Sequence, residues 1–376
     1  MRSRLALAVL SWALGGCSGG DHPAPLDEWR ALPECPDHDY STCDNRNAQC
    51  QARLLSLAGC LFGVDAPPDV PIRVISEEAL LQELETDAAA QQDPTDLPGV
   101  PHVQNTLVDL GLVERESLTG AGPIAEIVDS IDGVYLDAER GILLVDRGRP
   151  QNNVDSNALL LHELIHAIQD AEYDLDSWRD QQLATADTSL ALRSVTEGQA
   201  TFYQFRALVA MSGYDIARVD FEQTFDKLRD DLTTDAHADP SPYLASITTF
   251  PYGFGVGLAY QAWRSDGRLF HVSQFAEPPL STYEVMRQNV APDMPSIVPS
   301  EPPEPTAIAD YTLVDQSVLG AFLLELFLVK HGIDGYSARE VALTWRGDKL
   351  WIYGGPSEET AWLWELELES CLLYTS

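Results

Sequence analysis

Apolar and polar positions change period several times along the chain, and each change marks an element. Ile72 to Ile75 form a short β-branched run that predicts a strand. Ser76, followed by Glu77 and Glu78, then predicts a helix start, because a serine oxygen caps free amides and acidic groups suit a helix N-terminus. Thr106 to Leu118 predicts a helix broken at Gly111. Gly133 to Leu136 and Ile142 to Val145 are two β-rich runs around a polar turn ending in Gly141, the pattern of a hairpin. From Asn157 to Asp170 the period becomes helical, and Leu160, Leu161, Leu164, Ile165 and Ile168 cover most of the circumference, so this helix is expected to be buried nearly all round. Thr188 to Met211 reads as a helix with only Gly198 against it. A glycine-rich helix from Pro251 to Gly267, an apolar helix from Asp315 to a stop at Gly332, and strands within Ala342 to Gly355 and Glu359 to Leu368 complete the pattern. Prolines between Asn289 and Pro305 exclude helix interior and central strand there, leaving a linker or a long surface loop. The fold expected is α+β and mostly helical, with a small β-sheet upstream of the buried helix and no internal repeat.

Composition narrows the partners more than the fold. At 376 residues and 45% hydrophobic content the chain can bury a real core, as one large domain or two ordinary ones. Acidic residues number 59 against 23 basic ones, and the formal charge of -36 repels phosphate backbones and anionic lipid alike, so no nucleic-acid partner is expected.

The first residues point to export. Arg2 and Arg4 precede an apolar run from Leu5 to Leu14 that is too short to span a membrane, and small residues follow before Cys17. Leu14-Gly15-Gly16-Cys17 resembles a bacterial lipobox, which implies a signal peptide over 1–16 and a lipid on Cys17; the competing reading is an ordinary signal peptide with an incidental cysteine. Ser18 resembles the outer-membrane sorting pattern. The expectation is an exported cell-envelope lipoprotein, at the outer membrane, touching lipid only through Cys17.

Export makes the other cysteines legible. Cys35, Cys43, Cys50 and Cys60 lie in one segment, expected to span 17–66, and read as two disulfides worth roughly 2 to 4 kcal/mol each; their pairing is open. A zinc site built from these cysteines is the rival, but the spacing matches no common finger. Beyond this segment, 67–288 is expected to form the main domain, 289–305 the proline-rich loop and 306–370 a C-terminal part packed on that domain. The last six residues, Cys371 to Ser376, resemble the translation of a transposon-end sequencing adaptor, so 371–376 are expected to be an artefact and the natural chain to be longer.

The chemistry centres on His162-Glu163-Leu164-Ile165-His166. At 100° per residue the two histidines point about 40° apart, so one metal ion can take both imidazoles. Glu163 lies on the flank of the pair, where it can take a proton from a water polarised by that ion; zinc lowers the pKa of such a water from about 15.7 toward about 7. Desolvating these three groups unpaired costs several kcal/mol, and a metal would offset that. An internal salt-bridge network is the alternative. Gln169 and Asp170 are candidates to orient an imidazole, or simply a solvated helix end.

Two histidines leave such a site short of a ligand. Gln169 and Glu172 stand where a metzincin extension needs glycine and histidine. A glutamate from a second helix is the other common solution, and Glu197 offers it, 31 residues beyond His166, with Gly198 and Ala200 allowing close helix packing. An ordinary exposed helix glutamate is the competing reading.

With Glu197-Gly198-Gln199-Ala200 added, the sequence resembles the gluzincin, or thermolysin-like, metallopeptidases, and more narrowly a largely uncharacterised bacterial set of exported zinc peptidases. The matching patches run in order from "GVYLD" through "HELIHAIQDAEYDL", "RSVTEGQATF", "FPYGFGVGLAY" and "AEPPLSTYEVM" to "WRGDKLWIYGG". The resemblance implies a zincin-like catalytic domain, Zn2+ held by His162, His166 and Glu197, and Glu163 as general base and proton shuttle. It also implies a peptide or protein substrate lying along an edge strand of the hairpin. An oxyanion stabiliser is needed as well: Tyr252 is the first candidate and His271 the second, each with packing as its alternative role. "AEPPLST" is expected to be a structural turn, and Asp348 to fix a turn by bonding backbone amides.

Overall fold

A computed structural model describes residues 32–82, 100–118, 132–182, 185–290, 310–357 and 359–369. The signal peptide expected over 1–16, Cys17, nearly all of the proline-rich stretch and the tail from 370 lie outside the described residues.

Among the described residues the architecture is α+β, as the residue pattern predicts: long helices with two three-stranded sheets. The helices are α1 (Ala48–Phe62), α2 (Val100–Asp109), α3 (Val154–Tyr173), α4 (Leu175–Asp180), α5 (Ala186–Met211), α6 (Phe221–Ala238), α7 (Pro242–Asp266), α8 (Phe270–Ala276), α9 (Thr282–Val290), α10 (Gly320–Lys330) and α11 (Gly335–Ala342). The first sheet contains β1 (Ile72–Ser76), β2 (Gly133–Leu136) and β3 (Gly141–Asp146) in the order β1-β3-β2. The expected hairpin is β2 antiparallel to β3, and β1 joins β3 in parallel on its other side, which makes β2 an edge. Ser76 caps the helical stretch that follows β1, its hydroxyl accepting from the Ala79 amide at 3.2 Å. The second sheet is antiparallel throughout, with β5 (Trp345–Gly354) between β4 (Thr312–Ser317) and β6 (Thr360–Leu368).

Several elements depart from expectation. Asp315, Gln316 and Ser317, expected to open a helix, lie in β4, and the helix starts only at Gly320. Asp348 explains the change: its carboxylate accepts from the amides of Leu319 and Gly320 at 3.0 and 2.9 Å and from the indoles of Trp345 and Trp364 at 2.9 and 2.8 Å. Rather than fixing a local turn, it caps α10 from across the sheet. The stretch expected as a broken helix over Thr106 to Leu118 does break at Gly111, at φ 71°, but its first part is α2, which begins earlier, at Val100, and its second is a single 3-10 turn over Arg115–Leu118. The glycine-rich helix begins nine residues early, at Pro242, and carries Pro251 inside it. "AEPPLST" does turn the chain, and its Thr282 opens α9.

Among the described residues two large cores stand beside a small cluster of Leu80, Leu143 and Val145 on the first sheet. One gathers the disulfide segment, α1, α3, the second half of α5, α6 and one face of α7; the other gathers α2, the first half of α5, the other face of α7, α9, α10 and the second sheet. The disulfides are Cys35–Cys60 and Cys43–Cys50. Asn157, in the first turns of α3, accepts from the Cys43 amide at 2.9 Å and donates to its carbonyl at 2.7 Å, so the segment is clamped directly to that helix. Buried Arg206 on α5 lies over the Trp263 ring and pairs with Glu34 beside Cys35.

The backbone of α5 comes closest to that of α7 at Gly198 and Gly255. A Cβ on Gly198 would fall on the Gly255 carbonyl, and one on Gly255 would meet the Ser194 carbonyl and, at 3.0 Å, the Gly198 Cα. Glycine inside a helix costs roughly 0.5 to 1 kcal/mol against alanine, so helix propensity alone predicts that Gly198→Ala stabilises. The crossing reverses the sign: Gly198→Ala or Gly255→Ala should destabilise by about 3 kcal/mol or more, read as a fall in thermal midpoint. A neutral or raised midpoint would contradict the crossing.

Asp187, in the first turn of α5, is buried and accepts from the amide (2.7 Å) and hydroxyl of Thr282. Burial, followed by the carboxylates of Asp348 and Glu284, outweighs those hydrogen bonds and pushes its pKa up to about 7. A carboxyl whose folded pKa lies above its unfolded value contributes stability that is complete below about pH 4 and is lost as the pH rises through about 7. Asp187→Asn, which keeps an acceptor for Thr282, should therefore gain on wild type by up to about 4 kcal/mol between pH 4 and pH 8 in chemical denaturation. A pH-independent difference would contradict this.

Candidate metal centre

Helix α3 starts on Asn153, whose side chain accepts from the Ser156 amide, and its apolar residues are buried as predicted. His162 and His166 stand one turn apart, with their rings nearly perpendicular and their Nε2 atoms 3.0 Å from each other. Glu197 reaches them from α5: its Oε2 lies 3.2 Å from the Nε2 of His162 and 3.3 Å from that of His166. An ion with tetrahedral ligands at about 2.0 to 2.2 Å holds them roughly 3.3 to 3.5 Å apart, so the three donor atoms nearly form one face of such a polyhedron. Two imidazoles and a carboxylate also suit a divalent transition metal by their chemistry. The sequence-predicted triad is therefore assembled, and its residues fit a metal ion. A second grouping, Cys35, His38 and Cys60, has its two sulfurs joined in a disulfide, so thiolate ligation is closed to it.

Electrostatics at the triad are those of a tightly coupled buried cluster. Burial lowers the His166 pKa, but the adjacent Glu197 carboxylate outweighs it and holds the imidazole up at about 9. Burial works to raise the Glu197 pKa, and the two histidines overcome it and hold the carboxyl well below its ordinary value. Arg193, one turn earlier on α5, stands 4.0 Å from the other Glu197 oxygen. It also lines a cavity of about 380 Å³ between α2, α5, α7 and the second sheet, walled by Val103, Leu107, Leu190 and Ile352.

The remaining candidates separate. Glu163 is buried beside the triad, and its Oε2 accepts the Tyr135 amide of edge strand β2 at 2.8 Å. Tyr252, on α7, stacks on His162 at 6.0 Å between ring centroids. Burial, with the carboxylates of Glu197 and Glu163, raises its phenol well above the usual range, so it stays protonated at neutral pH. His271, on α8, packs instead against Phe62 and Tyr173, and burial lowers its pKa to about 4. None of its ring contacts is to the triad. Gln169 does orient an imidazole, that of His166, at 2.9 Å. Asp170 does not: it accepts from the Tyr135 hydroxyl at 2.8 Å and the Leu175 amide at 3.0 Å. Gln204, 3.1 Å from the Nδ1 of His162, and Tyr135 went unsingled in the sequence, where nothing marks a buried amide or a strand residue as part of a site.

No family model, curated protein or solved structure matches the chain. The functional reading therefore rests on the geometry of this site.

The purified chain should bind one divalent transition-metal ion, measured by elemental analysis, and His166→Ala or Glu197→Ala should abolish it. With free metal at about a hundred times its dissociation constant, chelation should remove about 2.7 kcal/mol of stability from wild type and none from those variants.

Proposed function

We propose that the protein is a zinc metallopeptidase of the gluzincin type, tethered to the bacterial cell envelope through Cys17, that hydrolyses peptide bonds. The observation that carries this reading is the placement of Glu163: a carboxylate beside the three converging donors, with one oxygen held by the backbone of an edge strand. A structural metal site has no need of such a group.

When bound, zinc supplies a Lewis acid that acidifies water and polarises a carbonyl. His162, His166 and Glu197 would hold it. The Tyr135 amide fixes Glu163 through Oε2 and leaves Oε1 to take a proton from water and return it to the leaving amine. Tyr252, protonated at neutral pH and held beside His162 and Glu197, would donate a hydrogen bond to the developing oxyanion. Val145 donates to the Asp132 carbonyl, so by the two-residue repeat of a strand Gly133 and Tyr135 turn their backbone groups away from β3. A peptide added beside β2 would find those groups next to Glu163.

Exposure to an oxidising compartment is supported by the two disulfides, and among the described residues no helix is long and apolar enough to cross a membrane. Lipidation of Cys17, outer-membrane placement and a peptide or protein substrate belong to the same proposal. A non-catalytic, zinc-stabilised lipoprotein that binds a partner is the alternative.

A mixed peptide library separates the two. Wild type should cleave it, Glu163→Gln should lose about 100-fold or more in kcat while retaining zinc, and Tyr252→Phe should lower kcat by about 10- to 100-fold with little change in KM. Zinc retained with no cleavage by wild type or variant would favour the binding protein.

A further inference from the structure

Behind His166 runs a chain of buried amides that the proposed chemistry does not use. Gln169 on α3, Gln199 on α5 and Gln274 on α8 are each buried, Gln169 and Gln199 completely. Gln169 Oε1 lies 2.9 Å from the Nδ1 of His166, and its Nε2 donates to the Thr196 carbonyl at 3.1 Å and to Gln199 Oε1 at 3.0 Å. Gln199 Nε2 donates to Gln274 Oε1 at 2.8 Å, and Gln274 Nε2 donates to the Leu258 carbonyl of α7 at 3.4 Å.

The chain has a direction, because both of its backbone partners, Thr196 and Leu258, are carbonyls that can only accept. Each amide must therefore turn its NH2 toward the carbonyl end and its oxygen toward His166. At the last link an oxygen faces Nδ1, which accordingly carries the proton. We infer that Gln169, Gln199 and Gln274 form a positioning relay that fixes hydrogen on Nδ1 of His166 and so commits its Nε2 to the metal. The inference rests on the triad being a metal centre. The second imidazole lacks such a relay: Gln204 faces His162 Nδ1 and makes no further side-chain hydrogen bond among the described residues. The two histidines are thus oriented by unequal means, and the docking of α8 is part of how His166 is held.

Three measurements on the full mature chain test this. Gln199→Met removes the acceptor for Gln169 at similar volume, whereas Gln199→Glu keeps that acceptor and disturbs only the far link, where Gln274 must give up the Leu258 carbonyl to donate to the new carboxylate. Zinc affinity, by competition with a chromophoric chelator, should fall about 10-fold or more in Gln199→Met and stay within about threefold of wild type in Gln199→Glu. Thermal midpoints are recorded alongside; affinities that simply follow the midpoints would reduce the chain to packing and overturn the relay. Should the variants fail to fold, wild type decides alone: loaded with cadmium-113 and labelled with nitrogen-15 histidine, it should show coupling of the metal to Nε2 of His166 and a slowly exchanging proton on Nδ1. Coupling through Nδ1 would overturn the relay while leaving the metal centre standing. Failure of wild type to bind zinc or cadmium would instead overturn the metal centre, and the relay with it.

Discussion

The molecule depends on the meeting of two backbones. Where α5 crosses α7, Gly198 and Gly255 leave no room for a side-chain carbon, and that approach sets where Glu197 and Tyr252 project. Glu197 is the residue before Gly198, and Tyr252 lies three residues before Gly255, so the same crossing fixes a metal ligand and a phenol relative to His162. Moving α5 outward by the width of a methyl group would draw Glu197 away from the two imidazoles, and moving α7 would carry Tyr252 off His162. Helices α5 and α7 each contribute to both large hydrophobic cores, so their crossing, and with it the position of Glu197, is held from two sides.

Around that crossing, buried polar groups do most of the orienting. Asp348 gathers two amides and two indoles to place α10, and Asp187 ties the start of α5 to α9 through Thr282. Both carboxyls have their pKa raised first by burial, which shows how far these hydrogen bonds lie from solvent. The fold accepts that cost where a helix end must be located, and the amide chain behind His166 does the same work without charge.

Much of this is legible in the sequence alone. The histidine spacing and the apolar helix that carries it gave the pair, the runs at Gly133 and Ile142 gave the hairpin, and small Gly198 beside Glu197 hinted at close packing. Other parts were hidden for physical reasons. Strand β4 is exposed along nearly its whole length and has no apolar alternation to betray it. The parallel pairing of β1 with β3 joins segments distant in sequence, which periodicity cannot report. Helix α6 does carry a signal in the sequence: Phe221, Phe225, Leu228, Leu232 and Ala236 repeat at helical spacing after Asp220, which caps it. Glutamines carry no local signature, so the relay and Gln204 emerge only when three or four helices are placed together.

The clamp between Asn157 and Cys43 engages main-chain atoms alone, one amide and one carbonyl. It recognises the path of the N-terminal segment rather than its side chains. Over evolutionary time such a joint tolerates drift in the exposed residues between the cysteines, though not at Asn45, whose side chain donates to the Ser156 carbonyl, yet resists insertion or deletion there, because one added residue would carry the matched pair of backbone groups out of register with the asparagine. Conservation of loop length ahead of conservation of residue type is the trace it should leave in this segment.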